Sequence, residues 1–546
     1  MPLLKGASSE YTTFIKYNAL TLPATAVRAR STISLPGISI VSTLTKASTI
    51  AARSSPRTSV LQTYEVRAVA AEEEEVATGP VYLPVSVSSD AFIVKYSRSG
   101  AVQWATRISG TGGELGFNII TDSTGVYVTG RYVSISEVTL NNGITLPITA
   151  GTTPGQDAFI VKYNTSGVAQ WATRISGAGF DQGHGIATDS TGVYVTGIYT
   201  SVAEVTLNNG ITLPITARAS PSATPGSDGF IVKYNTSGLA QWATTIRGTG
   251  DDQGYGIATD STGVYVTGLY RSTSEVTLNN GKTLPSTVAD DAFIVKYDTS
   301  GLAQWATTIR GTEFDMFKRI TADATGVYVT GNYRSTSEVT LNNGITLPSN
   351  VNEQTFIVKY DTSGLAQWAT RISGLGDNQG YGIATDSTGV YVSGYYTSAS
   401  EVTLNNGITL PITAGTPPGF DAFIVKYNTS GVAQWATTIR GLGGDFGYGI
   451  TTDSTGVYVS GDYTSDSEVT LNNGITLPIT ARASPSATPG QDAFIVKYNT
   501  SGVAQWATTI RGTGGDAANS ITADSTGVYA IGYYTSSDPI LLTNGS

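Results

Sequence analysis

The chain has no cysteine in 546 residues, which excludes disulfides, thiolate metal sites, iron–sulfur clusters and cysteine nucleophiles. Compartment stays open, because a large all-β core needs no covalent staples. There is one histidine, His184, so a histidine-built zinc site, a His-paired nucleophile and a multi-histidine pH switch are all disfavoured. Charged residues make up only 13% and the net charge is -10, which argues against general nucleic-acid or anionic-membrane binding. No run of about 18 apolar residues occurs, so no transmembrane helix is expected. Helical periodicity is missing as well, and no helix is expected among the repeats described below.

What is present is a repeat. The string DAFIVKY starts at Asp90, Asp157, Asp291, Asp421 and Asp492, with variants from Asp228 and Gln354, giving seven copies. All seven tryptophans (Trp104, Trp171, Trp242, Trp305, Trp368, Trp435 and Trp506) stand 14 residues after these starts. From each start to the Gly that follows Val-Tyr-Val-Thr/Ser (Ala-Ile in the last copy) is 40 residues, whereas the spacer to the next start varies from 23 to 31. A packed core with one tolerant surface loop explains this placement of length variation. Copies five and six carry spacers that nearly repeat those of copies one and two, as if blocks of four had been duplicated.

Each core reads as four short strands: FIVKY, AQWATRI, the GIATD segment and VYVTG. NTSG or DTSG joins the first two strands and DSTG the last two, both turn chemistry. The Asn-Thr-Ser matches at Asn164, Asn235, Asn428 and Asn499 are read as part of these turns rather than as glycosylation acceptors. The spacer holds EVTL-NNG-ITLP, a hairpin with Asn-Gly at its tip. Seven four-stranded units predict an all-β fold, a single seven-bladed β-propeller of four-stranded blades over residues 81–546. The C-terminal DPILLTNG aligns on SEVTLNNG of residues 467–474, and VYLPV at 81–85 aligns on ITLPI at 475–479. One blade is therefore expected to be shared between N- and C-terminal strands, closing the ring and leaving no raw sheet edge.

DAFIVKYNTSGVAQWATRISG followed by a Gly-rich stretch and GYGIATDSTGVYVTG resembles the bacterial SBBP-type β-propeller repeat over about residues 86–536. The resemblance implies a secreted or surface-associated scaffold without a demonstrated reaction, and it leaves the ligand open. Residues 1–80 lie outside the repeats. Up to Leu61 they carry seven basic residues and one acid, Glu10, and Glu72–Glu75 forms a short acidic run. They read as an irregular N-terminal arm, docking or disordered; no clear signal peptide is visible.

In the usual propeller phase GIATD is the inner strand and AQWATRI the outer one. The Gly-rich loops and the TLNNGITLP hairpins then share one face, expected to be the functional one. Ten residues after each tryptophan stand Glu114, Asp181, Asp252, Asp315, Asn378, Asp445 and Asp516. Two readings apply: a cation-attracting or Ca²⁺-binding channel mouth, or capping of amides within the loops. No D-x-D-x-D-G string supports calcium, and no cofactor is expected. Three residues further on come Phe117, His184, Tyr255, Lys318, Tyr381, Tyr448 and Asn519, of which the aromatic members suit sugar or peptide docking at the mouth. Their bland reading is packing between loops, and His184 in particular reads as structural. The aspartates that open each D-[SA]-T-G turn read as turn caps. The tryptophans read as blade packing, and the FIVKY lysines as crossing blade edges with their ammonium groups in water.

Two functions are weighed. One is a non-catalytic scaffold or binding module for a protein or glycan partner, as a monomeric propeller at a surface or in a larger assembly. Copies this alike offer one contact many times, which suits avidity. The other is an enzyme, glycoside- or quinoprotein-like, using paired acids of the mouth. No blade supplies a distinctive acid, base or nucleophile for it, so the expectation is no enzyme.

Overall fold

Alternation of apolar and small residues over seven- and eight-residue runs, punctuated by Asn/Asp–Gly turns, gives strands and nothing else of length. The computed structural model describes residues 30–35, 38–43 and 79–545, apart from 150–154, 178, 217–225, 414–418 and 482–489. The chain divides at residue 74. In the N-terminal unit, Arg30–Leu35 pairs antiparallel with Ile38–Thr43. The expectations resting on Glu10 and on the acidic run Glu72–Glu75 lie outside the described residues.

The second unit is a ring of seven antiparallel four-stranded blades. Each blade joins the last two core strands of one repeat copy to the first two of the next. Blade 2, for example, runs outward through Gln182–Asp189, Gly192–Tyr199, Asp228–Tyr234 and Ala240–Ile246. Blades are numbered here by the copy that supplies the inner strand, so the inner strands of blades 1, 3, 4, 5, 6 and 7 are Leu115–Asp122, Gln253–Asp260, Asp315–Asp323, Gln379–Asp386, Phe446–Asp453 and Ala517–Asp524. The inner strands pack side by side around the axis, and that of blade 7 meets that of blade 1.

Closure occurs as the sequence predicts. Gly527–Tyr534 pairs with Asp90–Tyr96 in register from Asp90↔Tyr534 to Tyr96↔Val528, so blade 7 contains both ends of the propeller. Tyr82–Leu83 pairs with Ile540–Leu541, completing from two chain ends the hairpin that elsewhere is continuous.

The TLNNGITLP hairpins lie elsewhere than expected. They run down the outside, between neighbouring blades, instead of standing on the face with the Gly-rich loops. Asn141 donates to Thr106 Oγ1 of blade 7 at 3.2 Å and to the Gly167 carbonyl in the far turn of blade 1 at 2.7 Å. Its Oδ1 accepts from Ala169 N at 2.8 Å. Val138, Leu140 and Leu146 of the same hairpin are buried in the blade core. The apolar positions of the hairpin need an apolar partner, and the seam between blades supplies one; this outweighs display at the surface.

The seam has a second fastening. Each indole N–H donates to a carbonyl in the first hairpin turn of the next blade, such as Trp104 Nε1 to Thr165 O at 3.0 Å and Trp242 Nε1 to Thr299 O at 3.1 Å. The ring lies over the turn glycine. At Gly167, φ is +77° and an added Cβ would stand 2.7 Å from the Trp104 ring, so glycine is required both by backbone and by space. The turns form as predicted: Asn164 Oδ1 accepts from the backbone of Ser166 and Val168, and Asp122 Oδ1 from Thr124 and Gly125. The lysines differ from expectation. Lys162 is buried, with Nζ 2.8 Å from Thr124 Oγ1 and 5.0 Å from the Tyr127 ring centroid.

Trp506 repeats the seam where the chain ends come together, donating to Arg98 O at 3.1 Å and packing over Gly100 and Gly545. It is 5% exposed, and Gly545 N donates to Gly100 O at 2.8 Å. Trp506→Ala should therefore cost about 3–5 kcal/mol in urea unfolding. A loss no larger than that of an ordinary surface substitution, about 0.5 kcal/mol, would rule out this indole as a fastening of the closed ring.

Candidate functional site

Each inner strand carries one irregularity, always at the same place. In blade 2, Gly183 pairs with Gly197 and Gly185 with Thr196, so His184 is an extra residue bulged out of the ladder. The same register shift places Phe117, Tyr255, Lys318, Tyr381, Tyr448 and Asn519 on bulges. A bulge re-aims a side chain, here toward the axis on the face of the Gly-rich loops. All seven bulge residues line a cavity of about 500 Å³, together with Gln182, Gln253, Met316, Arg319 and Tyr533.

The rings are organised in two groups. His184 stacks on Tyr255 at 5.1 Å with planes 7° apart, and Phe117 meets it edge-on at 5.6 Å. Across the mouth Tyr448 stacks on Phe446 at 5.9 Å and meets Tyr381 at 5.1 Å. His184 engages the protein at both ring nitrogens, with Nδ1 3.0 Å from the Gly254 carbonyl and Nε2 3.1 Å from Gln182 Oε1. Burial lowers its pKa to about 4, keeping the imidazole neutral. Lys318 Nζ sits 3.7 Å from the Tyr381 ring centroid and 2.5 Å from Gln379 Oε1. The narrow, protein-walled setting desolvates it and lowers its pKa to about 7.

The acids of the preceding column are placed otherwise. The carboxyls of Glu114, Asp181, Asp252, Asp315, Asp445 and Asp516 are fully buried behind the cavity wall and do not face it. Each caps its own loop. Glu114 accepts from Gly110 N at 2.7 Å and Val133 N at 3.4 Å, and Asp181 accepts from Gly177 N and from Thr200 N at 3.0 Å. The loop amides have no strand partner, so the carboxyl turns inward to satisfy them. Among the described residues, no three His, Asp or Glu side chains are grouped as metal ligands would be.

Each capping acid also feels a second one, 24 residues earlier in the chain: Glu114 with Asp90, Asp181 with Asp157, Asp516 with Asp492. Desolvation first, and this like charge as a lesser cause, push Glu114, Asp181, Asp315 and Asp516 up to about 8 and Asp252 and Asp445 well above the usual range. Copy five replaces both members. Asn378 donates to Gln354 Oε1 at 3.0 Å and still accepts from Thr397 N at 3.2 Å. An arginine holds the second acid from the outer strand. Arg174 reaches Asp157 at 2.9 Å and Arg247, from two positions further along the repeat, reaches Asp228 at 3.1 Å. Both positions fall on one strand face, so either serves.

Sequence reasoning missed three columns around the mouth. One precedes the bulge by two residues (Leu115, Gln182, Gln253, Met316), one follows it directly (Arg319), and one closes the second strand (Ile198, Tyr533). Their signal was available: they are places where near-identical copies differ from one another.

Because the folded loops hold protons that the unfolded chain releases above about pH 4, stability should fall as pH rises from about 4 to 8. His184, between its lowered value of about 4 and its ordinary 6.5, and Lys318, above its lowered value of about 7, act oppositely, but they are two groups against six. Asp189, Asp260 and Asp386 are also desolvated, yet their turn hydrogen bonds outweigh this and lower them, so their stabilisation is lost only at more acidic pH. The melting temperature should thus be higher at pH 5.5 than at pH 8.5. Asp181→Asn should narrow that difference, with Asp157 accepting as Gln354 does, while Asp181→Ala should lose about 1–3 kcal/mol from stranded amides. Melting that is flat or rises over this pH range would contradict the assignment.

No family model matches the chain. An uncharacterized WD repeat-containing protein of Acanthamoeba polyphaga mimivirus is 29% identical over 409 residues, 64% of this chain and 29% of that protein, so the chain spans under a third of its relative. Among solved structures, the Dos1 propeller is similar over 85% of this chain and 95% of its own, at 8% identity and a TM-score of 0.33. A periplasmic gluconolactonase of Pseudomonas aeruginosa is similar over 84% and 99%, at 8% identity and a TM-score of 0.27. With seven four-stranded blades closed on themselves, the chain is a β-propeller repeat protein.

Proposed function

We propose that this propeller is a non-catalytic binding or scaffold module that takes a protein or glycan partner at the loop-face mouth. One observation carries the reading: in an array of near-identical blades, the residues unique to single blades converge on one cavity. Phe117, His184, Lys318 and Asn519 each occur once in the bulge column, and all four line it. This replaces a ring of equal weak contacts by a single asymmetric pocket with apolar walls and a few polar groups, the usual form of a ligand site. The WD repeat relative and the resemblance to SBBP-type repeats both support a scaffold that holds a partner. The alternative, a glycosidase- or quinoprotein-like enzyme, needs acids open to the mouth, and the six candidates serve as buried loop caps. On this reading residues 1–80 serve as an arm for attachment.

The test replaces Tyr255, Tyr381 and Tyr448 together by Ala and compares binding on glycan and protein arrays, with and without EDTA. Binding by the parent chain that is lost in the variant, at unchanged circular dichroism, is the expected result. Equal binding by both would place the partner elsewhere, and EDTA-sensitive binding would restore the cation reading of the acids.

A further inference from the structure

The column directly after the bulge contains glycine in four blades (Gly185, Gly256, Gly382 and Gly449), Asn118 and Ser520 in two, and Arg319 in blade 4 alone. That arginine reaches the ring axis. Its Nη1 lies 3.3 Å from Tyr255 O in the adjacent blade, and Nη2 lies 3.5 Å from Phe117 O in blade 1, on the opposite side of the ring. The guanidinium therefore forms the floor of the mouth and also borders a second cavity of about 310 Å³ along the channel below.

Its contacts are poor for so strong a donor. They are longer than the usual 2.7–3.2 Å and go to neutral carbonyls. None of the ion pairs among the described residues includes Arg319. Lys318 is in a different position: its ammonium is held by Tyr381 and Gln379, and the Gln379 amide in turn donates to Glu353. Two further polar atoms are unengaged among the described residues. Gln253 accepts the Tyr255 hydroxyl on Oε1 and keeps its Nε2 donor, while Asn519 donates to Gly116 O and keeps its Oδ1 acceptor.

Resting on the mouth-binding reading above, we infer that the pocket takes one acidic sugar ring, a uronic-acid-type unit whose carboxylate lies against the Arg319 guanidinium. The carboxylate answers the unpaired cation on the floor with a planar, bidentate partner. The hydroxyls both donate and accept, which the Asn519 carbonyl and the Gln253 amide require. The C–H face of the ring packs on the Tyr and Phe walls. A cavity of about 500 Å³ accommodates one or two such rings. An acidic peptide side chain brings the carboxylate without the hydroxyls, and a neutral sugar brings the hydroxyls without the charge.

The experiment titrates the full chain calorimetrically with sodium D-glucuronate, D-glucose and N-acetylglutamate methylamide. Glucuronate should bind about tenfold or more tightly than either comparison ligand, as expected for one charged hydrogen-bonding partner. Arg319→Gln should abolish that preference, bringing glucuronate to the affinity of glucose. Arg319→Gly, the residue of four other blades, should do the same and guards against misfolding, with melting temperature as the control. Equal binding of glucose and glucuronate, tighter binding of the glutamate derivative, or no binding of glucuronate would each overturn the acidic-sugar assignment. Failure of the mouth itself has a separate signature: array binding that survives the triple tyrosine replacement.

Discussion

Each blade is fastened to the next by an indole lying on a glycine turn, and the rest of the ring depends on that contact. The indole N–H finds its acceptor in the neighbour's turn, and the missing Cβ of the glycine makes room for the ring. An Asn-Gly hairpin then fills the outer part of the same seam with buried Val and Leu and ties both blades by side-chain amides. Blade geometry is thus set by interfaces that repeat from seam to seam, which is how a repeat protein obtains stability from nearest neighbours. At the composite blade the same contacts are made by Trp506, Asn544 and Gly545 with residues near the other end of the propeller. Asn544 accepts from Val102 N at 2.9 Å.

The architecture was legible because each device is local and written seven times. DSTG and NTSG turns, the Trp spacing and the split Asn-Gly hairpin all gave strand order and closure directly. Placement of the spacer hairpin was less legible. Its apolar residues were read as part of an exposed loop, whereas Leu140 and its equivalents answer to a seam that exists only once blades are side by side. The acid column shows the same difficulty. Spacing located Glu114 and Asp181 at the mouth end of the inner strand, but it could not show that unpaired loop amides turn their carboxyls inward.

The bulge column was found from sequence, and its mechanism was not. In the ladder, Gly-X-Gly marks the residue ejected toward the axis. Arg319 does not stand out beside its neighbours along the chain, and only its equivalents in other blades set it apart. In that comparison it is conspicuous, a long cation where glycine is the rule. Repetition therefore separates two kinds of information within one chain. What recurs builds the ring, and what fails to recur is gathered at its mouth.

The guanidinium spanning from blade 4 to the carbonyl of Phe117 also has a consequence for traffic. The cavity at the mouth and the one below it both border this one side chain. Removing that side chain, as in Arg319→Gly, would join the two spaces along the axis.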